Sequence, residues 1–242
     1  MHNKVNIFGG GGRFGALLGE ILAPYCKISF QDINPPAGDS RFVSIEEAFH
    51  AEVLIYAVPI SVFKSTLESH RAFLSSCEPK LIIDVLSVKE YPKQILNEYL
   101  FNKHQVILTH PMFGPDTVKQ IGVKKLPIVF DQINASLENI NKWKTIFENI
   151  GLKIIEMSAA EHDKNVAKSQ SLAHFIGRAL ELINTEPSLI DTMAAKKLHE
   201  IKEQVVSNTW QLFEDMHNFN QYTKPVREEF INSLVLLSKK FD

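Results

Sequence analysis

Short apolar runs rich in valine and isoleucine recur along the first two thirds of the chain: Val5 to Phe8, Ile28 to Phe30, Val53 to Ala57, Leu81 to Ile83, Val106 to Leu108, Ile128 to Phe130 and Ile154 to Ile155. Longer amphipathic stretches separate them. This alternation predicts an α/β fold: a doubly wound, mostly parallel sheet with helices on both faces. After Met157 the strand pattern stops. Ala167, Leu172, Phe175, Ile176, Ala179, Leu180 and Ile183 follow helical spacing, as do Val205, Val206, Trp210, Leu212, Phe213 and Phe219. The expected division is therefore an α/β domain over residues 1–156 and an all-α domain over 157–242. A core of so few residues is thin, so the second domain is expected to pack on the first and on a second copy of itself, giving a homodimer.

Composition narrows the functional classes. The 242 residues are 45% hydrophobic and 22% charged, with a net charge of -2. No basic field is present to attract a phosphate backbone, so nucleic acid is not an expected partner. No apolar stretch approaches the roughly 20 residues a bilayer requires. The opening Met1-His2-Asn3-Lys4 leads into a strand pattern rather than a signal sequence. Two cysteines, Cys26 and Cys77, make no disulfide framework, which agrees with a cytoplasmic protein.

Gly10-Gly11-Gly12-Arg13-Phe14-Gly15 fits G-x-G-x-x-G, with a strand pattern before it and the helical stretch Phe14 to Leu22 after it. In a Rossmann-type domain Gly10 would make the tight turn and Gly12 would admit a pyrophosphate to the amides of the helix start. Gly15 would let helix and strand approach. Arg13 and Phe14 fall in the same loop. Asp32 ends the second strand pattern, about 20 residues on, where a carboxylate can accept hydrogen bonds from ribose hydroxyls. It favours NAD over NADP, although Arg13 and Arg41 could offset its charge against a 2′-phosphate. A solvated turn aspartate before Asn34-Pro35-Pro36 is the competing reading.

Candidate chemistry lies at the ends of two later strands. Asp84-Val85-Leu86-Ser87-Val88-Lys89 follows the fourth, and Thr109-His110-Pro111-Met112-Phe113-Gly114-Pro115 follows the fifth. An imidazole in a loop fixed by proline and glycine, at a strand's carboxyl end, is placed to exchange a proton with a ligand above the sheet. Lys89 reads equally as a solvated helix-start residue or a carboxylate ligand. A third cluster, Ser158 to Asp163, fits a capping box through Ser158 and Glu161 and opens the next helix. Asp163, Gln170 and His174 are spaced by seven and four and so share one helical face. His50, His104 and His199 read as surface residues, and no metal site is expected.

These motifs together resemble the prephenate/arogenate dehydrogenase family, the oxidoreductases of tyrosine biosynthesis, over nearly the whole chain. Ser207 to Phe213 looks like its arogenate branch. The resemblance implies NAD-dependent oxidative decarboxylation of a cyclohexadienol. Hydride leaves C4, the C4 hydroxyl loses a proton, and the opposite ring carboxylate departs as carbon dioxide. On this resemblance His110 is the base, with an ordinary pKa of about 6.5, and Ser87 is the serine near the reacting hydroxyl and the nicotinamide. His174 is the helix histidine that faces substrate, and Gln170 accompanies it. Asp163 would pair with the ammonium that distinguishes arogenate from prephenate, or else serve only as a helix-start acid.

The pattern departs from the family at one position. A Gly-Phe-Arg-Asp-Thr-like segment supplies many members with a carboxylate-gripping arginine, but here the aligned residues are Ser188-Leu189-Ile190-Asp191-Thr192. Of the five arginines, Arg178 is the candidate replacement, with the partner subunit as another source. No regulatory or chorismate mutase extension is expected. The competing functions are another nicotinamide reductase, acting on a β-hydroxy acid or an imine, and an NAD(H)-binding sensor without turnover. The first would take a lysine from the helical domain, and the second would tolerate loss of Ser87, His110 and His174.

Overall fold

The computed structural model describes residues 3–99 and 103–241 and divides into two compact units, 1–159 and 160–242. Met1 and His2, where the sequence reading begins, lie outside the described residues. Each apolar run becomes a strand of one sheet: β1 (Lys4–Phe8), β2 (Lys27–Gln31), β3 (Val53–Tyr56), β4 (Leu81–Asp84), β5 (Gln105–Pro111), β6 (Pro127–Gln132) and β7 (Lys153–Glu156). Their spatial order is β2-β1-β3-β4-β5-β6-β7, and all neighbours are parallel except β5 and β6.

Burial explains the run composition. Every residue of β3 and β4 is buried, as expected for central parallel strands covered on both faces, whereas β7 at the edge buries none fully. Helices α1 (Arg13–Leu22), α2 (Ile45–Ala48), α3 (Ile60–Ser76), α4 (Glu90–Tyr99), α5 (Pro115–Ile121) and α6 (Leu137–Ile150) connect the strands. The chain leaves β1 toward β2 on one side and then returns to place β3 on the other. The crevice beyond the carboxyl ends of β1 and β3 is therefore the topological switch point, where open α/β sheets bind ligands.

The second unit is helical: the end of α7 (Ala159–Val166), a π-helical segment (Ala167–Ser171), then α8 (Leu172–Leu182), α9 (Met193–Val206), α10 (Trp210–Asn218) and α11 (Thr223–Ser238). The π segment was not expected. Its wider i→i+5 turn shifts helical register, so the uniform spacing that put Asp163, Gln170 and His174 on one face does not hold across it. Among the described residues no helix is long and apolar enough to cross a membrane, and no cluster of His, Cys, Asp or Glu could hold a metal ion.

Candidate active site

The glycine loop leaves β1 at the switch point, and sterics assign its residues. Gly9, not Gly10, has the positive φ of 84° and makes the turn; a Cβ there would lie 2.5 Å from the Ala57 carbonyl oxygen. Gly10 is needed for a different reason, since its Cβ would meet the Phe30 ring at 2.4 Å. Gly15 fits its expected role, because a Cβ there would stand 2.2 Å from the Gly9 carbonyl oxygen and force helix from strand. Gly12 is the N-cap of α1 and supplies no side-chain cap. The first amides of that helix are thus left for an anion, and the helix dipole favours one. Phe14 follows, half-buried, with its ring centroid 6.3 Å from that of Phe113 in the His110 segment.

Asp32 lies just beyond β2. Its Oδ2 accepts from the Gly11 amide at 2.9 Å and its Oδ1 from the Asn34 amide at 3.0 Å. It is thus a turn aspartate and also a strut of the glycine loop. Its carboxylate still has acceptor capacity toward a diol, since a carboxylate offers about four lone-pair sites. Both nearby arginines have acidic partners: Arg13 bonds Asp116 at 2.6 Å and Arg41 bonds Asp39 at 2.6 Å.

Ser87 and His110 stand at the ends of adjacent strands, because Asp84 of β4 pairs in register with Leu108 of β5. Ser87 is half-buried in the turn between β4 and α4. His110 lies within β5 rather than in a loop. The antiparallel partner β6 extends that strand, setting Val129 opposite His110. The imidazole residue is 3% exposed.

Beneath the pair lies a network that sequence alone did not reveal. Lys89 is fully buried, neither solvated nor available to a substrate carboxylate. Its ammonium bonds Asp84 Oδ2 and donates to the Thr109 carbonyl at 2.7 Å. The Asp84 carboxylate also accepts from the Leu86 and Thr109 amides, each at 3.2 Å, and the Thr109 hydroxyl donates to the Asp84 carbonyl at 2.7 Å. Burial pushes the Asp84 carboxyl upward, and the neighbouring ammonium opposes that shift. The acid that ends β4, the lysine five residues on and the threonine before His110 are one construction. Its signal in the sequence was the acid–lysine pair flanking Ser87.

In the helical unit His174 is 8% exposed, and burial, with Arg178 and His217 adding to it, lowers its pKa to about 4. Asp163 is 1% exposed and its Oδ1 bonds His162 Nδ1 at 2.7 Å. Gln170 belongs to the π segment, and its Oε1 is buried with no hydrogen-bond partner among the described residues. Arg178, expected as the free cation, is 4% exposed and engaged: it pairs with Glu181 at 2.8 Å and donates to the Asn208 carbonyl at 2.6 Å. Its guanidinium also lies 4.5 Å from the Trp210 ring centroid. Two histidines expected at the surface are not there. His104 is 1% exposed and caps local backbone through the Lys80 amide and the Leu74 carbonyl, and His199 pairs with Asp191 at 3.1 Å. His50 is exposed, as expected.

A mostly parallel sheet with a glycine loop at its switch point, an acid at the end of β2 and an uncapped helix start define a nucleotide-binding α/β protein. Comparison with known families refines this. The model of the prephenate dehydrogenase nucleotide-binding domain matches residues 33–156, and that of the TYRAAT1-like C-terminal domain matches residues 179–242. The chain belongs to the prephenate dehydrogenase family. Arogenate dehydrogenase 1, chloroplastic, of Arabidopsis thaliana is 31% identical over 241 residues, covering 94% of this chain and 37% of its own length. For arogenate dehydrogenase 2 of the same plant the identity is 32% over 225 residues, covering 87% of this chain and 62% of the relative. The chain thus spans less than two thirds of the length of each of these relatives. In fold it is similar to prephenate dehydrogenase from A. aeolicus, solved with hydroxyphenyl propionate and NAD+. The TM-score is 0.74 at 18% identity, over 99% of this chain and 90% of that one.

Proposed function

We propose that this chain is an NAD-dependent prephenate or arogenate dehydrogenase acting in tyrosine biosynthesis, and a cytoplasmic enzyme. The observation that carries the reading is the buried Asp84–Lys89–Thr109 network, which couples the Ser87 turn to the strand of His110 at the ligand end of the sheet. The family membership and the two plant relatives support the same activity.

The loop residues fit a dinucleotide. The amides of the α1 start would hold its pyrophosphate, Gly12 and Gly15 would leave it room, and Asp32 would take the adenosine ribose hydroxyls. The negative charge of Asp32 would oppose a 2′-phosphate, which favours NAD. When bound, the nicotinamide supplies the hydride acceptor. His110 accepts the C4 hydroxyl proton and Ser87 orients that hydroxyl, while the family resemblance assigns His174 and Gln170 to substrate binding. His110 must be neutral to take a proton.

The helical unit also supports a homodimer. It buries Val166, Ala167, Val205 and Met216, yet leaves Leu234, Val235, Leu236 and Leu237 about half exposed or more on α11. Sedimentation should give twice the 27.4 kDa chain mass, and a 27.4 kDa particle would refute the dimer.

The functional test is direct. Purified protein given NAD and either prephenate or arogenate should release carbon dioxide and NADH in equal amounts. Release of NADH without carbon dioxide, or turnover of neither substrate, would overturn the assignment.

A further inference from the structure

Strand β4 ends at Asp84, paired with Leu108, but its neighbour β5 runs on to Pro111. On the far side β6 holds this overhang, through the pairs Thr109 with Phe130 and His110 with Val129. On the near side β4 has ended, and side chains take the place of a backbone partner. The Asp84 carboxylate accepts from the Thr109 amide at 3.2 Å, and the Lys89 ammonium donates to the Thr109 carbonyl at 2.7 Å. That carbonyl belongs to the peptide unit that begins His110. A peptide is planar, so a bond to its oxygen fixes the plane from which His110 departs.

The same two residues close the turn that carries Ser87. Asp84 and Lys89 bracket it as a buried ion pair, and the Leu86 amide donates to Asp84 Oδ2 at 3.2 Å. Val85, Leu86 and Val88 are buried, which leaves Ser87 as the half-buried residue between the paired ends. One ammonium therefore ties both segments together.

Net stability does not account for such a pair. Withdrawing two charges from water is costly, and an apolar pair of similar volume is often as stable or more so. An apolar pair cannot bond a carbonyl and two amides in fixed directions. A carboxylate with four acceptor sites and an ammonium with three donors can.

We propose that Lys89, acting through Asp84 and the Thr109–His110 peptide, is a positioning residue: it sets Ser87 and His110 at the separation that proton transfer from the substrate hydroxyl requires. This rests on the dehydrogenase reading above and adds to it a group that never touches substrate. Misplacement of a reacting group by about 1 Å can cost on the order of 10²-fold in rate.

The test is the double variant Asp84→Asn/Lys89→Met in the full chain, assayed with NAD and whichever of prephenate or arogenate the wild type oxidises. It strands no charge, but the ammonium bond to the Thr109 carbonyl is gone. We expect kcat, counted per NADH-binding site so that only folded protein contributes, to fall ~10²-fold. The substrate KM should change far less than kcat, and NADH affinity should hold, since the glycine loop and Asp32 lie at the ends of β1 and β2. A brace that only adds stability would lower the melting temperature and leave kcat per binding site as it was. That result in the folded double variant overturns the proposal and leaves the dehydrogenase reading intact. If the double variant does not fold, Thr109 decides, because its hydroxyl donates to the Asp84 carbonyl at 2.7 Å. Thr109→Val, of nearly the same shape, should lower kcat, and Thr109→Ser should recover most of that loss; equal kcat for the two overturns the proposal. Wild-type protein that oxidises neither substrate overturns the reading and the proposal with it.

Discussion

Replacing His110 by asparagine should lower kcat by ~10²–10⁴-fold, the usual contribution of a placed general base, with little change in the affinity for NAD. Asparagine is close to histidine in size and can still donate and accept hydrogen bonds, so the strand should keep its form. Val129 of β6 pairs with the backbone at this position, and Thr109 before it is tied to Asp84 on two sides. What the variant lacks is basicity. The glycine loop and Asp32, at the ends of β1 and β2, do not depend on the imidazole, which is why cofactor binding should survive. Fluorescence titration with NADH together with steady-state kinetics measures both quantities. A His110→Asn protein with wild-type kcat would remove His110 from the chemistry.

The strands, the helical character of the chain after Met157 and the loop at the switch point were readable because each is written in short-range pattern: runs of valine and isoleucine, glycine spacing, and the loss of strand pattern after Met157. The errors have long-range causes. His110 reads as a loop residue because proline and glycine follow it, yet pairing with β6, distant in sequence, extends the strand through Pro111. Gly10 reads as the turn because the motif begins there, but the Ala57 carbonyl crowds Gly9 and decides which glycine turns. His104 reads as exposed from its polar neighbourhood, whereas α3 and the chain before β4 close over it. The π segment has no marker in residue type. Arg178 reads as the candidate cation by composition, yet residues distant in sequence engage it, since its guanidinium donates to the Asn208 carbonyl and lies over Trp210 while also pairing with Glu181.

Lys89 is the plainest case of a polar residue whose role depends on folding, and it carries the second large prediction. Lys89→Met should destabilise the protein by ~3–5 kcal/mol, the cost of leaving one buried charge without its partner. The methionine fills similar volume but leaves the Asp84 carboxylate uncompensated and the Thr109 carbonyl without the lysine donor, in a place with no solvent. The loss should depend on pH in a definite sense. Without the ammonium that now holds it down, the Asp84 carboxyl would titrate still higher in the folded state, so the folded variant binds a proton that the unfolded chain releases. Stability of Lys89→Met should therefore decline as pH rises above the ordinary aspartate range, and the gap from wild type should widen toward neutrality. Adding Asp84→Asn removes the stranded charge. The double variant should then be less destabilised than the sum of the two single changes, since each alone breaks the same pair. Urea unfolding of all four proteins at two pH values measures this. A Lys89→Met cost below about 1 kcal/mol, or strict additivity, would show that the pair contributes nothing to holding the strand of His110 beside the Ser87 turn.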